Sequence, residues 1–493
     1  MGKSFQSRLQ EIIIATKDRS KEIGKLEKDG LIRKIAPRLY TSNLEDSSDK
    51  IIRRNWYRIL ADLFPDAFLS HRSALERMPT PSGHVYVTYP YTENLKLPGM
   101  IIHFMKGPGR IEGDDPFFNH LHASGLARAY LENLQTSRGK GEESKTLTRE
   151  QLEEKIESFL RVKGGDALNA VRDTAKKIAP LLDMEKEWKA LNQLTSDLLG
   201  TGLSKNLKSV AAKARVLGEP LDPDRIQLFE GVYEELVSRE YPDFHDKNIN
   251  IQSYQNFAFF ESYFSNYIEG TEFTVDEARL IIATSTPLPA RDEDSHDVLG
   301  TYQIVSNRKE MTLLPKSEDD FLRIMKERHA FILSARKTKN PGEFKDKNNR
   351  AGTTEFVDWQ LVLGTLKKGY EWYSLLNHPF AKAAYMMFMV SEVHPFADGN
   401  GRIARIMMNA ELSAHGLSKI IIPTVYREDY LGTLKKLTKQ RSADAYIRML
   451  QKAYEFSSNV YDDNLDSMEQ YLVGCNAFLT YKEGPLKIIP RKD

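Results

Sequence analysis

A glycine-rich turn between two apolar helical patterns constrains this chain more than any other stretch. Residues 384–390 form an apolar run that predicts a buried helix. Pro395 ends that helix, because proline cannot continue the hydrogen-bond ladder and restrains the residue before it. A second helical pattern starts near Arg402, and between the two lies the stretch 398–401, Asp-Gly-Asn-Gly, whose glycines allow backbone angles that other residues resist. The sequence therefore predicts two helices that meet at a tight turn.

The turn and the second helix carry the groups of a phosphate-binding site. Backbone N–H groups at a helix start attract anions, and the helix dipole adds to this, so we expect the amides of Gly399, Asn400 and Gly401 to hold phosphate. Arg402 and Arg405 lie three residues apart on one helix face, where two guanidinium groups suit a polyphosphate.

Two further side chains of the turn supply reaction chemistry. Asp398, at the rim, is predicted to hold the Mg²⁺ that accompanies a polyphosphate. His394 ends the first helix and is the group of the turn best suited to remove a proton near neutral pH. Together they predict phosphoryl or nucleotidyl transfer. The alternative is a helix–turn–helix junction with a buried histidine.

The string from His394 to Arg405 resembles the signature of the Fic family, His-Pro-Phe-x-Asp/Glu-Gly-Asn-Gly-Arg-x-x-Arg, and matches it at every fixed position. The resemblance implies a mainly α-helical Fic fold with a β-hairpin flap. It also implies a protein adenylyltransferase that moves AMP from Mg·ATP to a Tyr, Ser or Thr hydroxyl of a target protein, with His394 as base. A second copy of the first three letters, 378–380, lacks the remainder and is predicted only to start a helix.

An aromatic-rich helical pattern at residues 251–268 ends in a second recognisable stretch. Residues 265–270, from Ser265 to Glu269 and Gly270, resemble the Fic inhibitory motif, Ser/Thr-x-x-x-Glu-Gly/Asn. The resemblance implies that Glu269 draws Arg405 away from the γ-phosphate of ATP, and that the same glutamate also supports removal of AMP in some relatives. The alternative is a helix that ends at Gly270 with an exposed Glu269.

Two more segments complete the predicted site. Turn residues flank short extended runs between residues 348 and 357, which predicts a β-hairpin. The resemblance implies that this hairpin is the flap that aligns the target segment by strand addition, with Gly352, Thr353 and Thr354 as positioning residues. It also implies that Tyr430 lies near the adenine.

Residues 4–41 have the pattern of a small winged helix. Phe5, Leu9, Ile12 and Ile13 predict one amphipathic helix, residues 21–29 a second, and residues 31–41 a hairpin wing. The first 41 residues hold ten basic and five acidic side chains in a chain of net charge +1. This local excess predicts contacts with DNA phosphates by Lys21, Lys25, Lys28, Arg33, Lys34 and Arg38. The alternative is a charged face on a module that binds protein.

Residues 50–135 continue with mixed helical and strand-like patterns. Together with the winged helix they resemble the N-terminal region of AbiEi-like type IV antitoxins. The matching words are Ser-His-Arg-Ser-Ala-Leu at 70–75, Leu-Pro-Gly at 97–99 and Ala-Arg-Ala-Tyr-Leu-Glu-Asn-Leu at 127–134.

The length of 493 residues is typical of about three domains. We expect an α+β winged-helix region at 1–135, a linker and helical connector at 136–240, the Fic domain at 241–460 and a C-terminal extension at 461–493. The polar, glycine-containing stretch 136–150 is the predicted linker.

Bulk composition excludes several classes of protein. A net charge of +1 gives no overall attraction to nucleic acid or membrane. The single cysteine, Cys475, excludes an internal disulfide and suits a reducing cytosol, so we expect a cytoplasmic protein. No apolar run approaches the roughly 20 residues that a membrane helix needs. The sequence leaves the oligomeric state open, a homo-oligomer included.

Two alternative functions remain open at this point. Fic relatives also transfer UMP, phosphocholine or phosphate, although the phosphate-transferring branch departs from the Gly-Asn-Gly-Arg that this chain retains. The other alternative is a DNA-binding transcriptional regulator in which the Fic fold acts as a sensor.

Overall fold

The computed structural model describes residues 9–200, 207–288, 291–352 and 354–491. The chain divides into two compact units, and the boundary falls between Leu217 and Gly218. This single boundary lies between the first two of the three that the sequence predicts, which follow residues 135, 240 and 460.

From residue 9 onwards, where the description starts, the N-terminal unit has a small three-stranded antiparallel sheet and one helix before residue 42. Its elements are β1 (Ile12–Ile14), α1 (Ser20–Lys28), β2 (Arg33–Ala36) and β3 (Leu39–Thr41). The strand order is β1-β3-β2, and the β2–β3 hairpin is observed where the wing is predicted. The helix predicted for Ile12 and Ile13 is wrong, because three consecutive β-branched isoleucines form strand β1 and bury Ile13 in a cluster with Ile23 of α1. Phe5 lies outside the described residues.

A six-stranded mixed sheet follows, in the order β6-β7-β5-β4-β9-β8. The β5–β7 and β4–β9 pairs are parallel and the others antiparallel. The backbone N–H of His71 donates to the Glu132 carboxylate (2.8 Å). This hydrogen bond joins the segments 70–75 and 127–134, two of those that resemble the antitoxin region. The elements are α2 (Ser48–Arg54), α3 (Trp56–Leu63), β4 (Phe68–Leu69), α4 (His71–Glu76), β5 (His84–Tyr89), β6 (Glu93–Leu97), β7 (Met100–Lys106), β8 (Asp115–Phe118), β9 (Leu121–Ala123) and α5 (Leu126–Asn133).

Four more helices belong to the same unit, namely α6 (Arg149–Lys163), α7 (Gly165–Ile178), α8 (Glu185–Leu198) and α9 (Val210–Val216). Tyr130 and Leu131 of α5 share a buried cluster with Leu152 and Ile156 of α6. The stretch predicted as a linker is also packed, since the Arg72 guanidinium donates to carbonyl oxygens of residues 141, 142 and 144. These contacts explain why the boundary falls at Leu217.

The second unit is mainly helical and contains one short hairpin. The helix predicted at 251–268 is confirmed. The elements are α10 (Pro223–Val237), α11 (Ile251–Ile268), α12 (Val275–Thr284), α13 (Asp292–Val305), α14 (Arg308–Met311), α15 (Glu318–Ile332), β10 (Arg350–Ala351), β11 (Thr354–Glu355), α16 (Val362–Leu375), α17 (Pro379–Val393), α18 (Asn400–Ala414), α19 (Arg427–Gln440), α20 (Asp444–Ser458) and α21 (Leu465–Gly474).

Helices α17 and α18 form the centre of the second unit. The apolar run of α17 is buried, as the sequence predicts, and Ile403, Ile406 and Met407 of α18 lie in the same core. The turn at residues 394–399 joins these two helices and is therefore fixed at both ends by the core. Among the described residues, no helix combines the length and apolar character that a bilayer crossing requires.

Candidate active site

The turn between α17 and α18 contains two residues with positive φ. His394 caps α17 at φ 52°, and Gly399 precedes α18 at φ 72°. A non-glycine residue in this region costs about 1–2 kcal/mol, so the surroundings must hold His394 in place. Asn400 does part of this, because its Oδ1 accepts from the Phe396 N–H (2.8 Å) and its Nδ2 donates to the Phe396 carbonyl (2.9 Å). The Asn400 side chain thus closes the turn.

His394 offers one unprotonated ring nitrogen. Its Nδ1 lies 3.3 Å from the Ser391 carbonyl oxygen, and because a carbonyl only accepts, Nδ1 carries the proton and Nε2 keeps its lone pair. The ring stacks on Phe356, with centroids 3.7 Å apart and an interplanar angle of 5°. Burial lowers the pKa of His394 to about 4, and nearby Lys345 acts in the same direction. The imidazole is therefore neutral at pH 7 and can accept a proton.

Lys345 and Asn349 brace the turn from the segment before the flap. The Lys345 ammonium donates to Asn349 Oδ1 (2.7 Å), and the backbone N–H of Lys345 donates to the Pro395 carbonyl (2.8 Å). Asn349 Nδ2 donates to the Phe396 carbonyl (2.9 Å). Burial lowers the pKa of Lys345 to about 8. The flap segment and the turn are consequently one hydrogen-bonded unit.

His329 of α15 supports the other side of the turn. Its ring stacks on Phe396 at a centroid distance of 3.7 Å. Its Nε2 donates to the Asp398 carbonyl (3.0 Å), and its Nδ1 accepts from the Gly342 N–H (2.9 Å). Burial lowers the pKa of His329 to about 4, so the ring stays neutral and keeps both contacts at pH 7. Phe396 itself is fully buried.

Arg405 is a buried cation at the inner end of the site. Its guanidinium donates to the Ser265 hydroxyl (3.0 Å) and carbonyl (2.8 Å) and to Glu269 Oε1 (2.7 Å), and the Tyr430 hydroxyl lies 3.4 Å away. Glu269 directly follows α11, and Gly270 continues at φ 92°. The contact between Glu269 and Arg405 is thus present, whereas its inhibitory role stays a prediction.

Gly401 lies where the Glu269 carboxylate meets the start of α18. A Cβ at this position would lie 2.2 Å from Glu269 Oε1 and 3.1 Å from Arg405 Nη1. The carboxylate therefore lies beside the first-turn amides of α18, which have no acceptor within their own helix. A phosphate group bound to those amides and the Glu269 carboxylate would compete for the same space.

Arg402 lies near two carboxylates in the structure, Asp297 and, with its Nη2 at 3.9 Å from Oδ1, Asp398. Its side chain is 4% exposed, and its Nη1 lies 2.6 Å from Asp297 Oδ2 of α13. Asp297 also pairs with Arg336 at 2.8 Å, so two guanidinium groups share one buried carboxylate. The predicted contact of Arg402 with phosphate stays a prediction.

Asp398 has the exposure that a magnesium ligand needs. Its side chain is 37% exposed, and its Oδ1 accepts from the Gly399 N–H (2.7 Å). Mg²⁺ keeps several waters and takes one or two carboxylates beside substrate phosphates, so a single carboxylate at this rim fits. No group of three or more His, Cys, Asp or Glu side chains forms a metal site among the described residues.

A cleft with an empty volume of ≈ 800 Å³, counted out to open solvent, brings His394, Gly401 and Arg405 together. The hairpin at its edge agrees with the sequence, with β10 and β11 paired as Arg350↔Glu355 and Ala351↔Thr354. Gly352 lies in the hairpin turn at φ 59°, and Thr353 lies outside the described residues. The residues at the cleft include Glu269, Ala351, Thr354, Phe356, His394, Gly401, Arg405 and Tyr430.

A neutral imidazole, a buried guanidinium and free helix amides in one cleft can deprotonate a nucleophile beside a phosphorylated ligand. Comparison with known proteins points the same way. Residues 319–412 match the Fic/DOC family. This Fic segment includes nearly all of α15, the flap, α16, α17 and most of α18.

Curated relatives of the chain carry the same family name. A protein adenylyltransferase Fic of Nematostella vectensis is 30% identical over 219 residues, which cover 41% of this chain and 49% of that protein. The protein of the same name in Drosophila persimilis is 26% identical over 249 residues, covering 49% and 47%. The chain spans about half the length of the curated relatives it matches.

Solved structures give a weaker likeness. A Fic domain containing signaling protein from Bacteroides thetaiotaomicron has a TM-score of 0.39 and 20% identity, with 50% of this chain and 97% of that one covered. Fic-1 from C. elegans has a TM-score of 0.35 and 16% identity, with 67% and 89% covered.

The predicted DNA-contacting side chains lie outside the Fic segment, on α1 and the β2–β3 hairpin. Lys21, Lys25 and Lys28 are exposed on α1, as are Lys34 and Arg38 on the hairpin. Arg33 differs, since its guanidinium donates to the Ser48 hydroxyl (2.9 Å) and is half-buried. Five of the six predicted cations are therefore presented to solvent.

Reasoning from the sequence gave no role to five residues that shape the site, namely His329, Lys345, Asn349, Phe356 and Asp297. None of them lies in the Fic signature, and a charged residue inside a helix is usually a surface position. The one detectable sign is that Asn349 and Phe356 lie within the hairpin predicted between residues 348 and 357.

Proposed function

We propose that the second unit is a Fic-type protein adenylyltransferase that transfers AMP from Mg·ATP to a Tyr, Ser or Thr hydroxyl of a protein. The observation that carries this proposal is the shared cleft of His394, with its unprotonated Nε2, Arg405 and the first-turn amides at Gly401. The Fic match and the named relatives support it.

In the proposed reaction, His394 Nε2 accepts the proton of the acceptor hydroxyl. The hydroxyl oxygen forms a bond to the α-phosphorus, the bond from that phosphorus to the β-phosphate oxygen breaks, and pyrophosphate leaves. The amides of Gly399, Asn400 and Gly401 hold the phosphates, while Arg402 and Arg405 neutralise the charge that develops on the leaving group. Tyr430 lies near the adenine. Asp398 would hold Mg²⁺, which supplies charge neutralisation for the triphosphate.

Glu269 regulates this reaction in our proposal. Its carboxylate, 2.7 Å from Arg405, occupies the guanidinium that the γ-phosphate needs. It also lies in the space beside Gly401 and repels a phosphate there. We propose that the same carboxylate also orients a water for the removal of AMP, so that the wild-type chain would work in both directions.

The test compares the full chain with its Glu269→Gly variant in the presence of ATP. Mass spectrometry should find a covalent AMP adduct on the chain itself and on lysate proteins, stronger with the variant. ATP labelled at the α-phosphate should transfer label, and ATP labelled at the γ-phosphate should not. Transfer from the γ-position, or from UTP in preference to ATP, would overturn the choice of donor group.

As a second candidate function we propose that α1 and the β2–β3 hairpin bind DNA, because five unpaired or weakly paired cations are exposed there. The full chain should bind duplex DNA with an affinity that falls steeply with salt, and the triple change of Lys21, Lys25 and Lys28 to Ala should remove about three units of the log–log slope. The matched control changes three exposed lysines of α7 and α8 to Ala, at positions 177, 186 and 189. An equal loss of DNA affinity in both variants would show that only non-specific charge attraction is present.

A cytoplasmic location and a homo-oligomeric state stay predictions.

A further inference from the structure

The first turn of α10 makes direct contact with the flap through Arg225. The Arg225 Nη2 donates to the Glu355 carbonyl of β11 (2.9 Å), and its Nε lies 2.7 Å from Glu392 Oε1 near the end of α17. One guanidinium group therefore joins the flap to the helix that ends at His394.

The place of Arg225 is fixed by its own surroundings. Asp222 caps α10, with its Oδ1 accepting from the Arg225 N–H (3.1 Å), and its backbone N–H donates to the Thr365 hydroxyl of α16 (2.9 Å). The turn that carries Arg225 is thus anchored to a core helix. The Arg225 side chain is 21% exposed.

The carboxylate of Glu392 holds the Arg225 guanidinium in place by electrostatic attraction. This carboxylate is 4% exposed and accepts a hydrogen bond from the Thr438 hydroxyl (2.6 Å). Burial raises the pKa of Glu392, and Arg225 opposes that shift. A buried carboxylate needs a paired cation, so Glu392 holds the Arg225 guanidinium. Glu392 is two residues before His394, so the guanidinium is held close to the candidate base.

The flap needs such an anchor because it is too short to hold itself. Each strand has two residues, and an isolated hairpin of this size is not stable in water. The Phe356 N–H donates to the Asn349 carbonyl (3.4 Å). Because ladder bonds alternate along an antiparallel pair, the neighbouring Glu355 carbonyl points out of the hairpin, and this is the atom that Arg225 binds.

We propose that Arg225 is a positioning residue that holds β11 beside His394 and thereby sets how an acceptor protein segment is presented to the base. This inference rests on the proposed function. The guanidinium fork is the essential feature, since one arm neutralises Glu392 while the other binds the flap carbonyl. A lysine can do only the first.

The primary experiment is hydrogen–deuterium exchange on the full chain, without any substrate. In Arg225→Lys, amides of residues 348–358 should exchange roughly tenfold faster, because a hydrogen bond to a charged group is lost, while α17 and α18 exchange as in the wild type. The matched control is Arg441→Ala, since Arg441 contacts Asp224 of the same helix but not the flap. Its flap exchange should not change.

The second experiment measures self-labelling with ATP labelled at the α-phosphate, in chains that also carry Glu269→Gly. Arg225→Lys should lower the rate at saturating ATP by roughly tenfold and leave the KM for ATP unchanged, because presentation of the acceptor is lost and not nucleotide binding. Arg225→Ala should show the same flap effect with added loss of stability.

Unchanged flap exchange in both Arg225 variants would overturn the proposal. Exchange that rises equally in α17 and α18 would also overturn it, since Arg225 would then act only on overall stability. If no chain labels itself, the proposed function fails, and the exchange measurement still decides whether Arg225 holds the flap.

Discussion

His378 and His394 begin identical His-Pro-Phe tripeptides at the two ends of one helix, α17, and their surroundings give them opposite protonation patterns. His378 caps the helix start, where its Nδ1 accepts from the Phe380 N–H (3.1 Å) and its Nε2 lies 3.4 Å from Asp243. His394 ends the helix, donates from Nδ1 and keeps Nε2 unprotonated. The same three letters therefore produce a cap in one place and a candidate base in the other, because the neighbours select the tautomer and the burial.

Replacing each histidine with alanine separates the two roles most strongly. His394→Ala should lower AMP transfer by about 10²–10⁴-fold, since the general base is lost, while nucleotide binding persists. His378→Ala should transfer AMP at close to the wild-type rate. Rates are measured with purified chains at equal Mg·ATP. An unaffected His394→Ala chain would show that another group takes the proton.

Each histidine also has a carboxylate nearby, and the two carboxylates should differ in effect. Glu269→Gly should raise the initial rate of AMP transfer by roughly 5–150-fold, the usual range for a coupling between two ligands. Asp243→Gly, the counterpart beside His378, should leave it unchanged. Arg405→Ala should not mimic activation, because it removes the phosphate contact together with the partner of Glu269. Equal rates for Glu269→Gly and wild type, without AMP removal by the wild type, would show that residues 265–270 only end a helix and have no inhibitory role.

Exposing the ring of His394 should raise its pKa, because burial is the main cause of the lowering. Its pKa is about 4 because it is buried under Phe356, and the neutral ring is the active form. Activity should therefore stay level as the pH falls towards 5 and decline only near pH 4. Phe356→Ala should move this decline upwards by roughly one to two pH units, towards the ordinary histidine value. A pH–rate profile of the Glu269→Gly chain, with and without the Phe356 change, measures the shift.

The smallest expected effect concerns His378 as a helix cap. His378→Ala should lower the free energy of unfolding by about 0.5–2 kcal/mol, and His378→Asn should retain most of it, since asparagine also accepts at this position. Denaturant unfolding monitored in the second unit provides the value. A neutral His378→Ala change would show that Pro379 alone sets the helix start.

The parts of the fold that the sequence predicts are those with strong local patterns. The run 384–390 and the aromatic stretch 251–268 are long, periodic and mainly apolar, so burial decides them. The stretch from Ile12 to Ile14 was predicted wrongly because three isoleucines fit either period, and pairing with β3 settles it. The boundary at Leu217 depends on contacts such as those of Arg72 with residues 141–144, which are distant in sequence.

The candidate site likewise has a part that local sequence patterns predict and a part that depends on contacts distant in sequence. His394, Asp398 and Arg405 lie in one short string, and the roles proposed for them could be predicted from residue type and spacing. The orientation of Arg402 depends on Asp297, which is more than 100 residues away, and the stacking of Phe356 on His394 depends on how the flap folds back. Contacts of this kind leave no trace in spacing.

The contact of Glu269 with Arg405 has a quantitative consequence for control. Glu269 stands one residue beyond α11, so in the proposed regulation it would compete with ATP as a tethered ligand, at a local concentration on the order of millimolar or higher that does not depend on protein concentration. ATP at a constant cellular level would then gain access only when the last turn of α11 loosens, because this lowers the local concentration of the Glu269 carboxylate at Arg405. The activity of the cleft would report the integrity of one helix end.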